Sequence, residues 1–237
     1  MTPQRVSLQS AYLLHQRPYR ETSALLEIYS RDHGRVGLIA RGVRGPRSRR
    51  AGLLQPFGLL RLSWQGRGEL HTLTDVEGAE AHRPLSGTRL VSGLYLNELL
   101  MRLLRREDPH EGLFSAYGAA LKALRSDAPE AGVLRVFEKR LLDELGYGLL
   151  LDHDLAGEPL REHGHYRYEA ERGPVPLGAP APDSVPGGAL LALAREDPLA
   201  PELGALTRTM RRLLRPYLGE RPLKSRELYR QFAGKRK

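Results

Sequence analysis

Apolar and polar positions change their period once along this 237-residue chain. Up to about residue 76 they alternate in short runs, and from residue 88 they recur at three- and four-residue steps. The first part reads as five strands. Val6–His15 draws its apolar content from Leu8, Leu13 and Leu14. Ser23–Tyr29 follows, then a turn at Arg31-Asp32-His33-Gly34, where Gly34 supplies the positive φ of a tight turn. Arg35–Ala40 sets Val36, Leu38 and Ala40 in alternation. Gly58–Trp64 carries Leu60, Leu62 and Trp64 at period two. The turn Gln65-Gly66-Arg67-Gly68 leads into Glu69–Val76, with Leu70, Thr72, Thr74 and Val76 on one face. Five strands with no long helix among them predict a small barrel such as an OB-fold, though another antiparallel meander has the same periodicity.

The second part is helical. Leu90, Val91, Leu94, Tyr95, Leu99, Met101 and Leu103 follow Thr88, a residue type that caps helices. His110–Arg125 and Pro129–Leu145 give two more helices, with Pro129 at the start and Gly146 as C-cap. Residues 151–188 lose periodicity and, rich in proline and glycine, read as a loop or extended excursion. Helix returns over Pro201–Leu218, with Leu203, Leu206, Met210, Leu213 and Leu214 on one face and Pro216 ending it. Arg208, Arg211, Arg212 and Arg215 line its other face. The whole predicts an α+β chain in two parts: a five-stranded OB barrel over residues 1–80, and a mainly helical domain over 81–237 with a basic tail.

Charge changes this picture most. Residues 1–68 hold 12 Lys+Arg against 3 Asp+Glu, residues 69–207 hold 14 against 23, and residues 208–237 hold 11 against 2. Basic ends around an acidic middle suit a polyanion-binding protein whose centre packs or meets a protein partner. The formal charge of +9 points the same way. Between the third and fourth strands lies Arg41-Gly42-Val43-Arg44-Gly45-Pro46-Arg47-Ser48-Arg49-Arg50. Its glycines and proline keep it irregular, so its arginines can follow a sugar-phosphate path and bind phosphate oxygens in pairs.

The sequence argues against several chemistries. With no cysteine there is no disulfide, no thiolate zinc site and no cysteine nucleophile. The N-terminus lacks a signal-type apolar stretch, and no apolar run is long enough to span a bilayer; both predict a soluble, cytoplasmic protein. Asp152-His153-Asp154 and His163-Gly164-His165, near Glu158 and Glu162, are the one histidine concentration. They lack the helical spacing of a metalloenzyme pair, and no separate base accompanies them. No Gly-rich phosphate loop, Gly-x-Ser-x-Gly elbow or Walker lysine occurs. A binding protein without catalysis, metal or cofactor is expected.

Short strings set in order give the chain a family. They are Pro18-Tyr19-Arg20-Glu21-Thr22-Ser23, Gly34-Arg35-Val36, Ala40-Arg41-Gly42-Val43-Arg44, Leu54-Gln55-Pro56-Phe57 and Gly66-Arg67-Gly68-Glu69-Leu70. Beyond the barrel come Ser92-Gly93-Leu94-Tyr95-Leu96-Asn97-Glu98-Leu99, Phe137-Glu138, Leu145-Gly146-Tyr147-Gly148 and Pro222-Leu223-Lys224-Ser225-Arg226-Glu227-Leu228. With them the chain resembles the RecO family of bacterial recombination mediators from residue 18 to 232. The resemblance implies an N-terminal OB-fold, a helical domain and no covalent catalysis. It implies binding to single- and double-stranded DNA and annealing of complementary strands. It also implies contact with the acidic tail of single-stranded-DNA-binding protein (SSB), and loading of RecA onto coated strands together with RecR. Many relatives carry a four-cysteine zinc motif where residues 151–188 lie; this chain has no cysteine there, and no zinc is carried over.

Residue expectations follow. Arg35, Arg41, Arg44, Arg47, Arg49, Arg50 and Arg67 would contact phosphate, with Tyr29 and Trp64 as base-stacking candidates, Trp64 reading equally as barrel core. Arg211, Arg212, Arg215, Lys224, Arg226 and Arg230 would form a second DNA-binding region, or else pair with the acidic middle. Arg135, Lys139 and Arg140 would rim a pocket for the SSB tail. The competing readings are an OB-fold protein of RNA or ribosomes, and a metal-dependent nuclease built on His153 and His163.

Overall fold

A computed structural model describes residues 4–45, 48–80 and 83–234. The chain divides into two compact units, Met1–Leu121 with Pro222–Lys237, and Lys122–Arg221. The expected division at 80/81 follows the strand-to-helix change, whereas the first unit also takes in helices that pack on the barrel.

That barrel is closed. β1 (Gln4–Tyr19), β2 (Ser23–Ser30), β3 (Gly34–Ala40), β4 (Leu59–Gly66) and β5 (Leu70–Gly78) run in the order β1-β2-β3-β5-β4, and β1 also pairs with β4. All neighbours are antiparallel except β3 and β5. This is the five-stranded Greek-key order of an OB-fold. β1 serves two partners because it is long and breaks register twice, between Val6 and Gln9 and between Leu13 and His15. Leu8 sits in the first break with φ +48° and its side chain exposed, so it is not the core residue its strand pattern suggests. Val36, Leu38 and Ala40, and Leu60, Leu62 and Trp64, do fill the interior.

The phase of β5 differs from expectation. Trp64 pairs with Leu73 and Ser63 with Asp75, which leaves Thr74 as an extra residue. The bulge turns Leu73 and Val76, three apart, to the same inner side, with His71 also buried. Leu70 and Thr74, expected inward, are exposed.

Between β3 and β4 a short helix, α1 (Arg49–Leu53), closes part of the loop expected to be irregular. α2 (Gly87–Leu103) and α3 (Glu111–Leu124) follow the barrel. Asn97 of α2, buried, donates to the Leu14 carbonyl at 2.8 Å and accepts from Tyr117 at 2.5 Å. Tyr12, Tyr29, Phe114 and Tyr117 form an aromatic cluster beneath α3. Gly93 is needed in α2, since a Cβ there would lie 2.7 Å from Leu85 and 2.8 Å from Phe57. The C-terminal α7 (Lys224–Gly234), a segment for which the sequence predicts no element, packs on α2.

In the second unit α4 (Glu130–Glu144) ends where the Gly146 amide donates to Asp143 and that of Tyr147 to Leu142, with Gly146 at φ +82°. Within the segment expected to be a loop or extended excursion is a small sheet: β6 (His165–Glu169) lies between β7 (Gly173–Leu177) and the two-residue β8 (Val185–Pro186). Its prolines hid it, and Pro174 and Pro176 are tolerated because β7 is an edge strand. α5 (Gly187–Arg195) comes next. A 3₁₀ turn at Pro201–Leu206 leads into α6 (Thr207–Leu218), which continues through Pro216 and stops at Gly219.

Candidate nucleic-acid interface

Strand register sorts the barrel cations between two ends. One end holds the β1–β2 turn and the loop between β3 and β4; the other holds the β2–β3 and β4–β5 turns. Arg41, Arg44, Arg49 and Arg50 belong to the first, which we term the loop end, and Arg35 and Arg67 to the second. Arg47 lies outside the described residues.

At the loop end Arg41 and Arg49 are exposed, with no ion pair among the described residues. Arg50 donates to the Thr74 carbonyl at 2.9 Å and lies 3.9 Å from Asp75. Arg44 reaches back across the β1–β2 turn to the carbonyls of Arg20 (3.2 Å) and Glu21 (3.5 Å), while its own amide donates to Thr22. Arg17 and Arg20, absent from the expected set, are exposed on the same end. The apolar pattern ends the first strand at His15, so only the observed extension of β1 to Tyr19 places them there.

The far end and the β2–β3 face are closed by the segment after α2. Arg106 pairs with Glu27 and donates to the Glu69 carbonyl at 3.3 Å; its guanidinium lies 3.2 Å from where a Cβ on Gly37 would be. The Glu107 amide donates to the Arg35 carbonyl. Gly34, at φ +63°, takes the Asp108 carbonyl where any side chain would stand.

Burial corrects two expected DNA contacts, Arg35 and Tyr29, and decides Trp64 for the core reading. Arg35 donates to the Met101 carbonyl; burial holds its pKa below the ordinary arginine value, against the pull of Glu27 and with help from Arg106. Tyr29 is 0% exposed, its hydroxyl bound to the His110 carbonyl. Trp64 is 1% exposed, a core residue with His33 edge-on at 5.4 Å. No face of either ring is open to a base. Arg67 is exposed in its turn.

The residues of the second expected region belong to different units. Arg211, Arg212 and Arg215 are exposed on α6 in the second unit, and Arg212 donates to the Tyr168 carbonyl at 2.7 Å. Lys224, Arg226 and Arg230 are on α7 in the first, where Lys224 and Arg230 are exposed and Arg226 half-buried. The α7 N-terminus is capped by Glu98, which accepts from the amides of Lys224 and Ser225 at 3.0 Å each and from the Ser225 hydroxyl at 2.7 Å.

The expected rim on α4 is also corrected. Arg135 is 5% exposed and pairs with Glu138. Lys139 bonds Asp143 (2.7 Å) and Glu196 (2.6 Å). Burial alone would lower its pKa, but these two carboxylates outweigh it and raise it. Arg140 remains half exposed, paired with Glu196. Instead, a cleft of about 450 Å³ opens beyond the end of α4, walled by Leu142, Leu150, Leu213, Tyr147 and Tyr217, with Arg172 at its edge. Tyr147 stacks on Tyr217 at 4.0 Å. Burial, then Tyr147 and Glu171, raise the Tyr217 pKa. Deeper in, burial pushes that of Tyr168 up to about 12. The sequence pattern does not anticipate this cleft, because its walls come together only where α4 ends near α6.

Among the described residues no three His, Asp or Glu side chains converge as metal ligands, and no helix is long and apolar enough to cross a membrane.

Known proteins match along nearly the whole chain. The family described as Recombination protein O N terminal matches residues 5–82, and Recombination protein O C terminal matches 84–227. A DNA repair protein RecO of Alkalilimnicola ehrlichii is 51% identical over 239 residues, covering 98% of this chain and 94% of that protein. One of Nitrosococcus oceani is 48% identical, covering 96% and 94%, and one of Nitrosospira multiformis is 44% identical, covering 97% of each.

Proposed function

Since the chain belongs to the RecO family of DNA repair proteins, we propose that it is a non-enzymatic recombination mediator. In this reading it binds single- and double-stranded DNA and anneals complementary strands, SSB-coated ones included. With RecR it helps load RecA. The observation that carries the reading is the loop end of the barrel, where Arg17, Arg20, Arg41 and Arg49 are exposed together. Cations there track a backbone by releasing its counterions. Arg208, Arg211 and Arg215 on α6 give the second unit a cationic face of its own. Two such surfaces neutralise two backbones, which lowers the repulsion that keeps strands apart.

The test is annealing of complementary labelled oligonucleotides precoated with SSB. The protein is expected to accelerate it. Arg41→Ala with Arg49→Ala should slow it and flatten the salt dependence of single-strand binding, by about 0.7 in log–log slope for each phosphate no longer neutralised. No acceleration on coated strands, with DNA binding intact, overturns the mediator reading; tighter binding to RNA at matched salt would replace it with an RNA-binding one.

The SSB tail, acidic and apolar at its end, needs an apolar pocket beside a cation. We place it in the Tyr147–Tyr217 cleft. Among the described residues, the Arg172 side chain is engaged only by a largely exposed pair with Glu169, and such pairs exchange at little cost. Leu150→Glu should weaken tail-peptide binding at least about tenfold, roughly the cost of setting a like charge in the pocket, with DNA affinity unchanged. Equal peptide affinity in titration calorimetry would remove the cleft from the reading.

A further inference from the structure

Single-strand binding by small barrels combines a basic path with an aromatic face on which bases stack. This barrel has five aromatic side chains: Tyr12, Tyr19, Tyr29, Phe57 and Trp64. Tyr12, Tyr29, Phe57 and Trp64 are buried, and Tyr19 alone is not. Tyr19 ends β1 at the loop end, where the exposed arginines gather. The next residue is unusual on two counts. Arg20 holds φ +53°, a conformation that costs a non-glycine residue energy and persists only where the surroundings enforce it. Its guanidinium lies over the Tyr19 ring, 5.2 Å from the centroid. The enforcing group is Arg44, whose guanidinium bonds the carbonyls of Arg20 and Glu21. The β2–β3 face, the alternative platform, is occupied by Arg106 over Gly37.

We propose that Tyr19 is the base-stacking site of the barrel for single-stranded nucleic acid, with Arg20 its exchangeable lid and Arg44 a positioning residue that fixes the turn. This rests on the nucleic-acid reading above. An incoming base takes the place of the guanidinium on the ring, and the displaced Arg20 pairs with the adjoining phosphate. Both partners stay satisfied, and no core residue moves. The site reads a π-face and not a base edge, so it takes any sequence.

Anisotropy titrations of two equal-length labelled strands, one with bases and one abasic, test this on the full chain. Tyr19→Ala is expected to bind the base-bearing strand about tenfold more weakly, the scale of one lost stack, with the salt slope and the abasic affinity unchanged. Tyr19→Phe should retain wild-type binding. Arg44→Ala should weaken base-bearing strands without flattening the salt slope, as a phosphate ligand would not. If Tyr19→Ala binds the base-bearing strand like wild type, or loses equally on both strands, the site is wrong. If the wild-type protein binds neither strand, the nucleic-acid reading falls, and the site with it.

Discussion

Glu138→Ala should destabilise the second unit by about 3–5 kcal/mol, the usual cost of removing one partner from a buried ion pair. Glu138 is 1% exposed and Arg135, one helical turn earlier in α4, is 5% exposed. The truncation leaves a guanidinium in the core without its counter-charge. The Arg135 Nε already lacks a hydrogen-bond partner among the described residues, so little local compensation is at hand. Urea unfolding followed by circular dichroism measures the loss. Arg135→Met combined with Glu138→Leu should recover most of it, because two apolar groups of similar volume leave no stranded charge. A loss below about 1 kcal/mol for the single variant would mean that water reaches the pair, as it does an exposed one.

Glu98→Ala should release α7 from α2, at about 2–3 kcal/mol for charge-assisted bonds. Burial by itself would raise the Glu98 pKa. The amide and hydroxyl of Ser225, the Lys224 amide and Arg102 outweigh it and hold the carboxyl below its ordinary 4.5. A lowered carboxylate pKa stabilises the folded form above the unfolded value and loses that contribution as pH falls through the folded one. Docking of α7 should therefore be at full strength above about pH 4.5 and weaken in more acid solution. Amide hydrogen exchange across Lys224–Gly234 reads this directly. Glu98→Gln should exchange fast at every pH; if it matches wild type at neutral pH, the charge is not what holds the helix.

The strand pattern was legible where every second residue faces the interior, as in Val36–Leu38–Ala40 and Leu60–Leu62–Trp64. It failed in β5 because one extra residue reverses the phase, and a bulge leaves no mark in composition. The sheet of β6–β8 was hidden for another reason: its edge strand is rich in proline and glycine, chemistry that also builds loops. The site was legible as charge and not as surface. The arginine-rich loop stood out, and its exposed arginines do sit together. Yet Arg35 and Arg135 look like any other arginine in the chain, and only the fold shows that each is turned inward onto a carbonyl or a carboxylate. Tyr29 and Trp64 read from the sequence as stacking candidates, but their burial is decided by what α3 and the barrel interior place against them.

The first unit is discontinuous: its last helix is encoded after the entire second unit. On the ribosome, the Glu98 carboxylate and the apolar face of α2 wait while the chain advances the 127 positions from Glu98 to Ser225, before Leu223 and Ser225 arrive to cover them. At about 5–20 residues per second that is an exposure of roughly 6–25 s. The barrel unit is thus expected to be completed only after Lys224–Gly234 has left the ribosome, and a chain stalled near residue 221 would be held with its first unit unfinished.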